Sequence, residues 1–275
     1  MAAPTLNLIG AGHVGRVLGR LFAQSGALLV QDVLTRSHAS ALDAVAFMGA
    51  GRAVPAMADL RRADIWMLAV GDDQIAPVCA GLAATGLLAG ALVFHCSGAR
   101  SSAQLRSALD AGARVASVHP VRSFADPARV AQDFAGTFCG VEGEMALLAP
   151  ALERIGARLV VIDAAAKTVY HAAAVFASNY LVTVVDAALR TYQAAGIPAD
   201  VARQLAAPLA TEALANALRL GPATALSGPI ARGDLVTVAR QQQAVAAWDA
   251  PTGALYAALA DATTLLARRK RAGPA

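Results

Sequence analysis

Lysine is almost missing from this sequence. Of the 23 lysines and arginines among its 275 residues, only Lys167 and Lys270 are lysines, and Lys270 lies in the C-terminal tail. An arginine keeps its proton near neutral pH, whereas burial in apolar surroundings can lower the pKa of a lysine until it acts as an acid or a base. Lys167 begins a long stretch with no other charged residue before Asp186. It is therefore a candidate for chemistry.

Charged residues are also scarce, at 15% of the chain against 57% hydrophobic residues. This composition excludes disorder over most of the length and leaves enough apolar side chain for a large core. The net charge of +4 comes from the tail, because 19 basic and 19 acidic residues remain when residues 268–271 are set aside. A short basic tail without aromatic residues is typical of a solvated chain end, so we expect no nucleic-acid partner.

Cysteine is sparse as well, and its pattern excludes a disulfide framework. The three cysteines form no C-x-x-C pair, which predicts reduced thiols, a cytoplasmic protein and no metal site: Cys79, Cys96 and Cys139. The N-terminus has no basic region before its first apolar run, so we expect no secretory signal. Residues 74–99 lack Asp, Glu, Lys and Arg, but Pro77 and four glycines favour a buried helix and a strand over a membrane span.

The pattern of apolar residues differs between the two parts of the chain. Up to residue 163, short apolar runs alternate with helical patterns, which predicts a doubly wound, mostly parallel Rossmann sheet covered by helices on both faces. From residue 164 to 275 no strand pattern is found, which predicts an all-helical domain. The predicted strands are residues 6–10, 27–35, 65–70, 91–98, 114–120, 136–143 and 158–163. The predicted helices of the second domain are residues 164–195, 198–219, 234–247 and 252–270.

The motif GAGHVG directly follows the first strand and directly precedes an amphipathic helix. In this context G-x-G-x-x-G is typical of dinucleotide binding: Gly10 permits the tight turn, Gly12 lets the backbone approach a pyrophosphate, and Gly15 allows close packing of helix on strand. The alternative is a glycine-rich turn that binds nothing. The predicted contacts are Gly10, Ala11, Gly12, His13, Val14 and Gly15.

The end of the second predicted strand distinguishes NADP from NAD. It reads Thr35-Arg36-Ser37, and an arginine with two hydroxyls suits a 2′-phosphate, whereas an acidic residue would accept hydrogen bonds from a free ribose. NADP is therefore the predicted cofactor. Asp32 lies earlier in the same strand, and a shift of strand register that brought it to the ribose would favour NAD instead.

The ends of the later strands carry polar residues. Strand C-termini line the ligand crevice of doubly wound sheets, so we expect the nicotinamide ribose beside Val70, Asp72 and Gln74. The alternative for Asp72 and Asp73 is a solvated pair that caps a helix. The same position argument predicts substrate contacts at Ser97, Gly98 and His119; a histidine at a strand end is otherwise a hydrogen-bonded structural group.

Lys167 and His171 are four residues apart in the long predicted helix, and Ser178 falls on the same face. A polar face in an apolar helix is expected to lie opposite something polar, such as a cleft. The functional interpretation makes Lys167 and His171 catalytic: Lys167 is the proton donor or the oxyanion stabiliser and His171 assists it. Asn179, on the flank, is then a substrate contact. The alternative is a lysine that extends to solvent from the first turn and a histidine bound to a backbone carbonyl.

Five segments carry a resemblance that spans most of the chain: GAGHVGRVLGRLF, HCSGARS, HPVRSFADP, KTVYHAAAVFASNYLV and LSGPIARGD. By these the chain resembles the 6-phosphogluconate and β-hydroxyacid dehydrogenase superfamily. Within it, the resemblance is to a subgroup of provisionally named NADP oxidoreductases whose second domain is a domain of unknown function. It implies a Rossmann domain, a 6-phosphogluconate-dehydrogenase-like helical domain and a homodimer interlocked through that helical domain.

The resemblance also implies residue roles. Lys167 matches the lysine of the dehydrogenases, Ser97 resembles their strand-end serine, and His171 stands where they carry a substrate-binding Asn. This departure is at odds with a simple β-hydroxyacid substrate. Ketopantoate reductase and reductases of cyclic imines are related activities. In the segment of residues 227–234, Arg232 either contacts an anionic substrate or belongs to a capped turn.

These observations predict an NADP-dependent oxidoreductase that passes a hydride between the nicotinamide and a small carbonyl or imine substrate. The alternative is a sensor or scaffold that binds NADP without turnover.

Overall fold

The computed structural model describes residues 2–272, which form two compact units that divide between Ala177 and Ser178. The first unit contains one eight-stranded sheet in the order β3-β2-β1-β4-β5-β6-β7-β8. All neighbouring strands are parallel except β6 and β7, which are antiparallel. The strands are β1 (Thr5–Ile9), β2 (Leu29–Leu34), β3 (Arg52–Val54), β4 (Ile65–Leu68), β5 (Leu92–His95), β6 (Arg114–Pro120), β7 (Phe138–Gly143) and β8 (Arg158–Val161).

Helices cover both faces of this sheet. In β4 the side chains alternate between two cores: Met67 belongs to one apolar cluster and Trp66 to the other. This period of two places the clusters on opposite faces of the sheet, as expected for strands buried on both sides. The helices of the first unit are α1 (His13–Ser25), α2 (His38–Met48), α3 (Ile75–Ala83), α4 (Arg106–Asp110), α5 (Pro127–Gln132), α6 (Leu148–Arg154) and α7 (Lys167–Ala177).

The second unit is helical throughout its described residues. Its helices are α8 (Asn179–Ala194), α9 (Ala199–Leu220), α10 (Pro222–Ala225), α11 (Pro229–Arg232), α12 (Leu235–Trp248) and α13 (Ala250–Ala272). The predicted fold class, a mostly parallel doubly wound sheet followed by helices, is confirmed.

Three details of the sequence analysis were wrong. The strand β3 was missed, because a three-residue strand at a sheet edge has no long apolar run. The helix predicted over residues 164–195 is interrupted at Ser178, whose φ of −130° and ψ of −71° are not helical, so α7 and α8 are separate. Residues 220–233, predicted as a loop, contain the short helices α10 and α11.

The candidate catalytic helix α7 belongs to the first of the two compact units. Because the compact units divide after Ala177, α7 with Lys167 and His171 belongs to the sheet-containing unit. By length and composition alone, Ala164–Ala194 could cross a membrane, with a mean hydropathy of 1.6. This is weak evidence, since apolar helices of proteins that never enter a membrane pass the same test. Lys167, within this stretch, is 2% exposed.

Candidate functional site

The glycine-rich loop after β1 is shaped by the neighbouring strand end. Gly10 has a φ of +82°, and a Cβ there would lie 2.6 Å from the backbone oxygen of Ala69. A Cβ at Gly15 would lie 2.7 Å from the Cβ of Ala69, so α1 approaches this strand end closely because residue 15 is glycine. The corresponding position at Gly12 has no atom within 4 Å. These are the tight turn, the close packing and the open approach that a dinucleotide loop needs.

The open side of this loop suits an anion. Gly12 is the N-cap of α1 and supplies no side-chain hydrogen bond, so the first backbone N–H groups of the helix have no capping acceptor from it. A helix N-terminus in this state attracts negative charge. A cavity of about 730 Å³ opens beside it. Of the predicted cofactor contacts, those lining the cavity are Gly10, Ala11, Gly12, Thr35, Arg36, Val70 and Gln74.

Of the predicted 2′-phosphate contacts, Arg36 lines the cavity whereas Ser37 caps a helix. Arg36 is exposed and lines the cavity. Ser37 instead caps α2, because its side chain accepts a hydrogen bond from the backbone N–H of Ser40 at 3.2 Å. Ser40 and Arg16 also line the cavity, and the sequence analysis missed both. Their positions were a usable signal, since Arg16 directly follows the glycine motif and Ser40 lies in the first turn of α2.

Asp32, the residue that would have favoured NAD, is closed to a ribose. Its side chain is fully buried and forms ion pairs with Arg61 at 2.7 Å and with Arg52 at 2.9 Å. It also accepts a hydrogen bond from the backbone N–H of Arg61. Burial alone would raise the pKa of Asp32, but the hydrogen bonds from Arg61 and Arg52 lower it below its usual value. The residues present therefore fit a 2′-phosphate at Arg36 better than a ribose held by an acid.

Asp72 and Gln74 are exposed after β4. The alternative in which Asp72 and Asp73 cap a helix is not what the structure has, because α3 begins after Gln74 and no side-chain cap hydrogen bond is found there. His13, Val14, Gly15 and Asp72 do not line the cavity themselves.

The loop after β5 is held by buried polar groups. His95 Nε2 lies 3.0 Å from the carbonyl oxygen of Ser101, and His95 Nδ1 accepts from the backbone N–H of Ser97 at 3.1 Å. His95 is thus the structural group that a strand-end histidine often is. The Ser97 side chain accepts from the backbone N–H groups of Ala99 and Arg100, at 3.2 and 3.0 Å. The hydroxyl oxygen of Ser97 is therefore occupied within its own turn.

Lys167 points into the sheet unit rather than out of it. Its ammonium donates to the backbone oxygen of Ser97 at 3.1 Å and to the side-chain oxygen of Ser117. Burial lowers the pKa of Lys167, and the negative charge of Glu142 opposes this shift. Glu142 is itself buried and accepts from the backbone and side chain of Ser102. The alternative in which Lys167 extends to solvent is therefore wrong, and the ammonium joins the loop after β5 to Ser117 in the middle of β6.

Two histidines pack on Gly98, and Tyr170 contacts one of them. The ring centroids of His119 and His171 are 5.4 Å apart, and the rings meet edge to face at 78°. His119 Nδ1 lies 2.9 Å from the hydroxyl oxygen of Tyr170. A Cβ at Gly98 would contact His171 Nδ1 and lie 2.8 Å from His119 Nε2. A side chain at this position would collide with both rings, so the two imidazoles pack directly against the Gly98 backbone.

The electrostatics of this cluster keep His119 uncharged. Burial, with the nearby His171 and Lys167, lowers the pKa of His119 to about 4. His171 Nδ1 is buried without a hydrogen-bond partner among residues 2–272. A buried, unpaired polar atom is costly unless something else binds it. The predicted residues Gly98, His119, Lys167 and His171 are therefore brought together, whereas Tyr170 was missed.

Asn179 and Arg232 belong to the second compact unit. Asn179 is exposed at the start of α8, where its side-chain oxygen accepts from the Ser178 hydroxyl at 2.9 Å. Arg232 is exposed and is the last residue of α11. Asp234 caps α12 by accepting from the backbone N–H of Thr237 at 3.0 Å, so this segment forms the capped turn that was one of two alternatives. Substrate contacts from Asn179 and Arg232 stay predictions.

Two protein-family models match the chain. A model of a Rossmann-like domain matches residues 2–120, and a model of a domain of unknown function, DUF2520, matches residues 137–263. The chain therefore combines these two domains. Gly98 and His119 fall in the first match, while Lys167, Tyr170 and His171 fall in the second, so the cluster is assembled from both.

Solved structures share the fold over nearly the whole chain. A Bacteroides fragilis protein provisionally named an NADP oxidoreductase is 21% identical, covers 96% of this chain and 98% of its own, and has a TM-score of 0.78. A Thermotoga maritima protein is 25% identical over 97% of this chain and 99% of its own, with a TM-score of 0.73. An imine reductase from Myxococcus stipitatus in complex with NADP+ is 21% identical over 96% and 93%, with a TM-score of 0.67. No curated protein matches the sequence.

Proposed function

We propose that this protein is an NADP-dependent oxidoreductase that transfers a hydride between the nicotinamide and a small carbonyl or imine substrate. One observation carries the proposal: the nucleotide loop and the histidine cluster lie at the same carboxyl edge of the sheet. Gly10 follows β1, Gly98 follows β5 and His119 lies near the end of β6. Ligands of doubly wound sheets bind along this edge, at a topological switch point.

The proposed cofactor is NADP. Support comes from Arg36 in the cavity wall and from the enclosure of Asp32 by Arg52 and Arg61. The loop at residues 10–15 would hold the pyrophosphate through backbone N–H groups, and Arg36 would pair with the 2′-phosphate. The named structural neighbours that bind NADP+ or carry NADP in their names support the same choice. When bound, NADPH supplies the hydride.

The protein's own residues would manage the substrate and its proton. The hydride forms a new C–H bond at the carbonyl or imine carbon, the C=O or C=N π bond breaks, and the oxygen or nitrogen needs a proton. We assign that proton to His171 Nδ1, which has no partner among the described residues, and a proton from water would then restore the ring. His119 would hydrogen-bond the same substrate atom.

Lys167 is proposed to act indirectly, without contacting the substrate. The sequence predicted Lys167 as the proton donor or the oxyanion stabiliser, and its ammonium is engaged by Ser97 and Ser117. From that position it would hold the loop that carries Gly98 and contribute positive charge near the developing oxyanion. Asn179 and Arg232 are proposed as further substrate contacts from the helical unit, with Arg232 suited to a carboxylate.

The second unit is proposed to form a homodimer in the cytoplasm. Its helices carry large apolar side chains that are exposed within the described chain, among them Val182, Leu209 and Leu218. Apolar surface of this kind is typical of a protein interface. The free thiols of Cys79, Cys96 and Cys139 support a reducing compartment. We expect neither nucleic acid nor a membrane as partner. Light scattering on the purified protein would give the oligomeric state.

The proposed function is tested first by binding and then by turnover. Fluorescence titration with NADPH and NADH should show tight binding of NADPH alone. Consumption of NADPH at 340 nm should then be followed with 2-keto acids such as ketopantoate, with other ketones and aldehydes, and with cyclic imines. Tight binding without oxidation in any of these assays would instead favour a sensor. Failure of both nucleotides to bind would remove the proposal.

A further inference from the structure

We propose that Glu142 is the counter-charge of the Lys167 ammonium and a positioning residue for the reaction, because the two buried charges together hold the segment of residues 97–102 at its two ends. The part of this segment in hydride transfer rests on the proposed function. The charge pair does not, since it follows from contacts within the chain and can be measured without cofactor or substrate.

The pairing of β6 with β7 places Glu142 beside Lys167. Ser117 and Glu142 are direct partners in this antiparallel pair. Their side chains therefore lie on the same face of the sheet, with Cβ atoms about 5 Å apart. Ser117 is also the side chain that accepts a hydrogen bond from the Lys167 ammonium. The carboxylate is thus a neighbour of the residue that binds the ammonium, and their attraction acts across Ser117.

Lys167 and Glu142 depend on each other because both are buried. Lys167 is 2% exposed and Glu142 is 8% exposed. Within the described chain, the other Asp, Glu, Lys or Arg side chain buried to this degree is Asp32, which Arg52 and Arg61 neutralise. A buried charge is strongly destabilising unless an opposite charge compensates it. Glu142 is therefore the compensating charge available to Lys167 inside the protein.

The other titratable groups near the ammonium supply no buried negative charge. Burial raises the pKa of the Cys96 thiol to about 12 and lowers the pKa of His119 to about 4, so both are uncharged near neutral pH. Burial likewise lowers the pKa of His95. Asp72 is exposed, where water and salt screen its charge. On α7 itself, the titratable side chains that follow Lys167 contact His119: Tyr170 and His171.

The same two charges hold the ends of the segment that carries Gly98. At its start, the backbone oxygen of Ser97 accepts from the Lys167 ammonium at 3.1 Å. At its end, the backbone N–H and the hydroxyl of Ser102 donate to the Glu142 carboxylate, the hydroxyl at 2.8 Å. Both imidazoles of the histidine cluster pack against Gly98, between these two points. The charge pair therefore fixes the backbone on which the two rings rest.

The counter-charge is tested by NMR of the full-length protein with ¹³C-labelled lysine, because the chain has two lysines and Lys270→Met assigns their signals. Wild type should carry a charged Lys167 at pH 7. A glutamine at position 142 keeps the shape of the side chain and removes its charge, so Glu142→Gln should lower the pKa of Lys167 by at least about one pH unit. A neutral Lys167 in wild type, or an unchanged pKa in Glu142→Gln, would overturn the assignment.

Glu144→Gln is the matched control for this titration. Glu144 directly follows β7, and its carboxylate accepts from the backbone N–H of Ala146 at 2.8 Å. Its loss of charge should leave the pKa of Lys167 unchanged. An equal shift in both variants would mean that Lys167 responds to net charge and not to Glu142, which would also overturn the assignment.

The anchoring of the segment is tested by hydrogen exchange at the backbone N–H of Ser102. Leucine at position 142 offers no acceptor, so Glu142→Leu should speed this exchange at least about tenfold. In Glu142→Gln the side-chain oxygen can still accept, and the exchange should change less than about threefold. Unchanged exchange in Glu142→Leu would show that Glu142 does not hold the segment. If Glu142→Leu does not fold, wild type decides: exchange of Ser102 at the rate of a solvated loop would overturn the anchoring.

The role in the reaction is tested by the pH dependence of kcat for NADPH oxidation with a carbonyl or imine substrate. Lys167 loses its proton at a lower pH in Glu142→Gln, so kcat should begin to fall at a lower pH than in wild type, by the interval that NMR gives. A shift of the pKa without a shift of this decline would overturn the positioning role while the proposed function stands. NADPH binding without turnover of any substrate would remove the proposed function and the positioning role, and the NMR titration would still decide the charge pair.

Discussion

The Lys167 ammonium donates to the backbone carbonyl oxygen of Ser97 across 3.1 Å, and through this bond α7 is attached to the loop after β5. The same ammonium binds Ser117 on the next strand. A single cation thus connects the loop after β5, the middle of β6 and the helix that carries His171. The position of the histidine cluster over Gly98 depends on this contact.

Lys167→Met should therefore lower kcat strongly while NADPH affinity changes little, because the loop at residues 10–15 does not contact Lys167. A displacement of the reacting groups by about 1 Å reduces a rate by about 10²-fold, and we expect a loss of that order. Steady-state kinetics and fluorescence titration measure the two quantities. Lys270→Met is the matched control: Lys270 bonds to carbonyl oxygens of Thr224 and Leu226, and its loss should leave kcat unchanged. A wild-type rate in Lys167→Met would contradict the role given to Lys167.

Arg36→Ala should weaken NADPH binding and leave NADH binding almost unchanged. A hydrogen bond to a charged group contributes about 1.5–3 kcal/mol, which corresponds to a loss of about 10- to 100-fold in affinity for NADPH. Fluorescence titration with each nucleotide measures this. Arg62→Ala removes an exposed arginine that does not line the cavity, and both affinities should survive it. A parallel loss of NADPH and NADH binding in Arg36→Ala would place the 2′-phosphate elsewhere.

The contrast between the nucleotide loop and the histidine cluster shows what sequence can predict. Gly10, Gly12 and Gly15 act within one turn, so their spacing was enough to assign their roles. Tyr170 could not be found in this way, since its partner His119 is 51 residues away and depends on the register of β6 against β7. The alternation of apolar runs likewise predicted the sheet, because burial on both faces leaves a direct trace in composition. The break at Ser178 leaves no such trace.

Asp32→Asn should destabilise the fold without changing the preference for NADPH over NADH. The substitution leaves Arg52 and Arg61 without their shared carboxylate, and loss of such charged hydrogen bonds costs about 1–3 kcal/mol. Urea unfolding gives the stability and titration gives the cofactor preference. Asp43→Asn is the comparison: Asp43 is 69% exposed in its ion pair with Arg16, and an exposed pair contributes at most about 1 kcal/mol. A gain of NADH affinity in Asp32→Asn would mean that Asp32 does face the ribose.

Gly98→Ala should abolish turnover with NADPH binding retained. The added methyl group would lie 2.8 Å from His119 Nε2 and closer still to His171 Nδ1, so both rings would have to move from the positions in which they are proposed to meet the substrate. Kinetics and nucleotide titration separate the two effects. Gly81→Ala is the control, because a Cβ there meets only the Met57 side chain, at 3.5 Å or more. Replacing glycine within a helix stabilises by about 0.5–1 kcal/mol, so this control should be fully active. Normal turnover in Gly98→Ala would show that the substrate does not bind at the histidine cluster.

Acid should destabilise the folded protein in part through His119. The pKa of this residue falls from its ordinary value of 6.5 to about 4 on folding, because burial and the nearby His171 and Lys167 disfavour the charged ring. Between pH 6.5 and 4 the unfolded chain therefore takes up a proton that the folded ring refuses, and stability falls as pH falls through this window. One proton corresponds to at most about 1.4 kcal/mol per pH unit, and partial exposure of the ring reduces this.

Urea unfolding from pH 7.5 to 4.5 should show a shallower decline in His119→Gln than in wild type. His95, whose pKa is also lowered by burial, is present in both proteins, so the difference isolates His119. Identical slopes would contradict the lowered pKa of His119 in the folded protein.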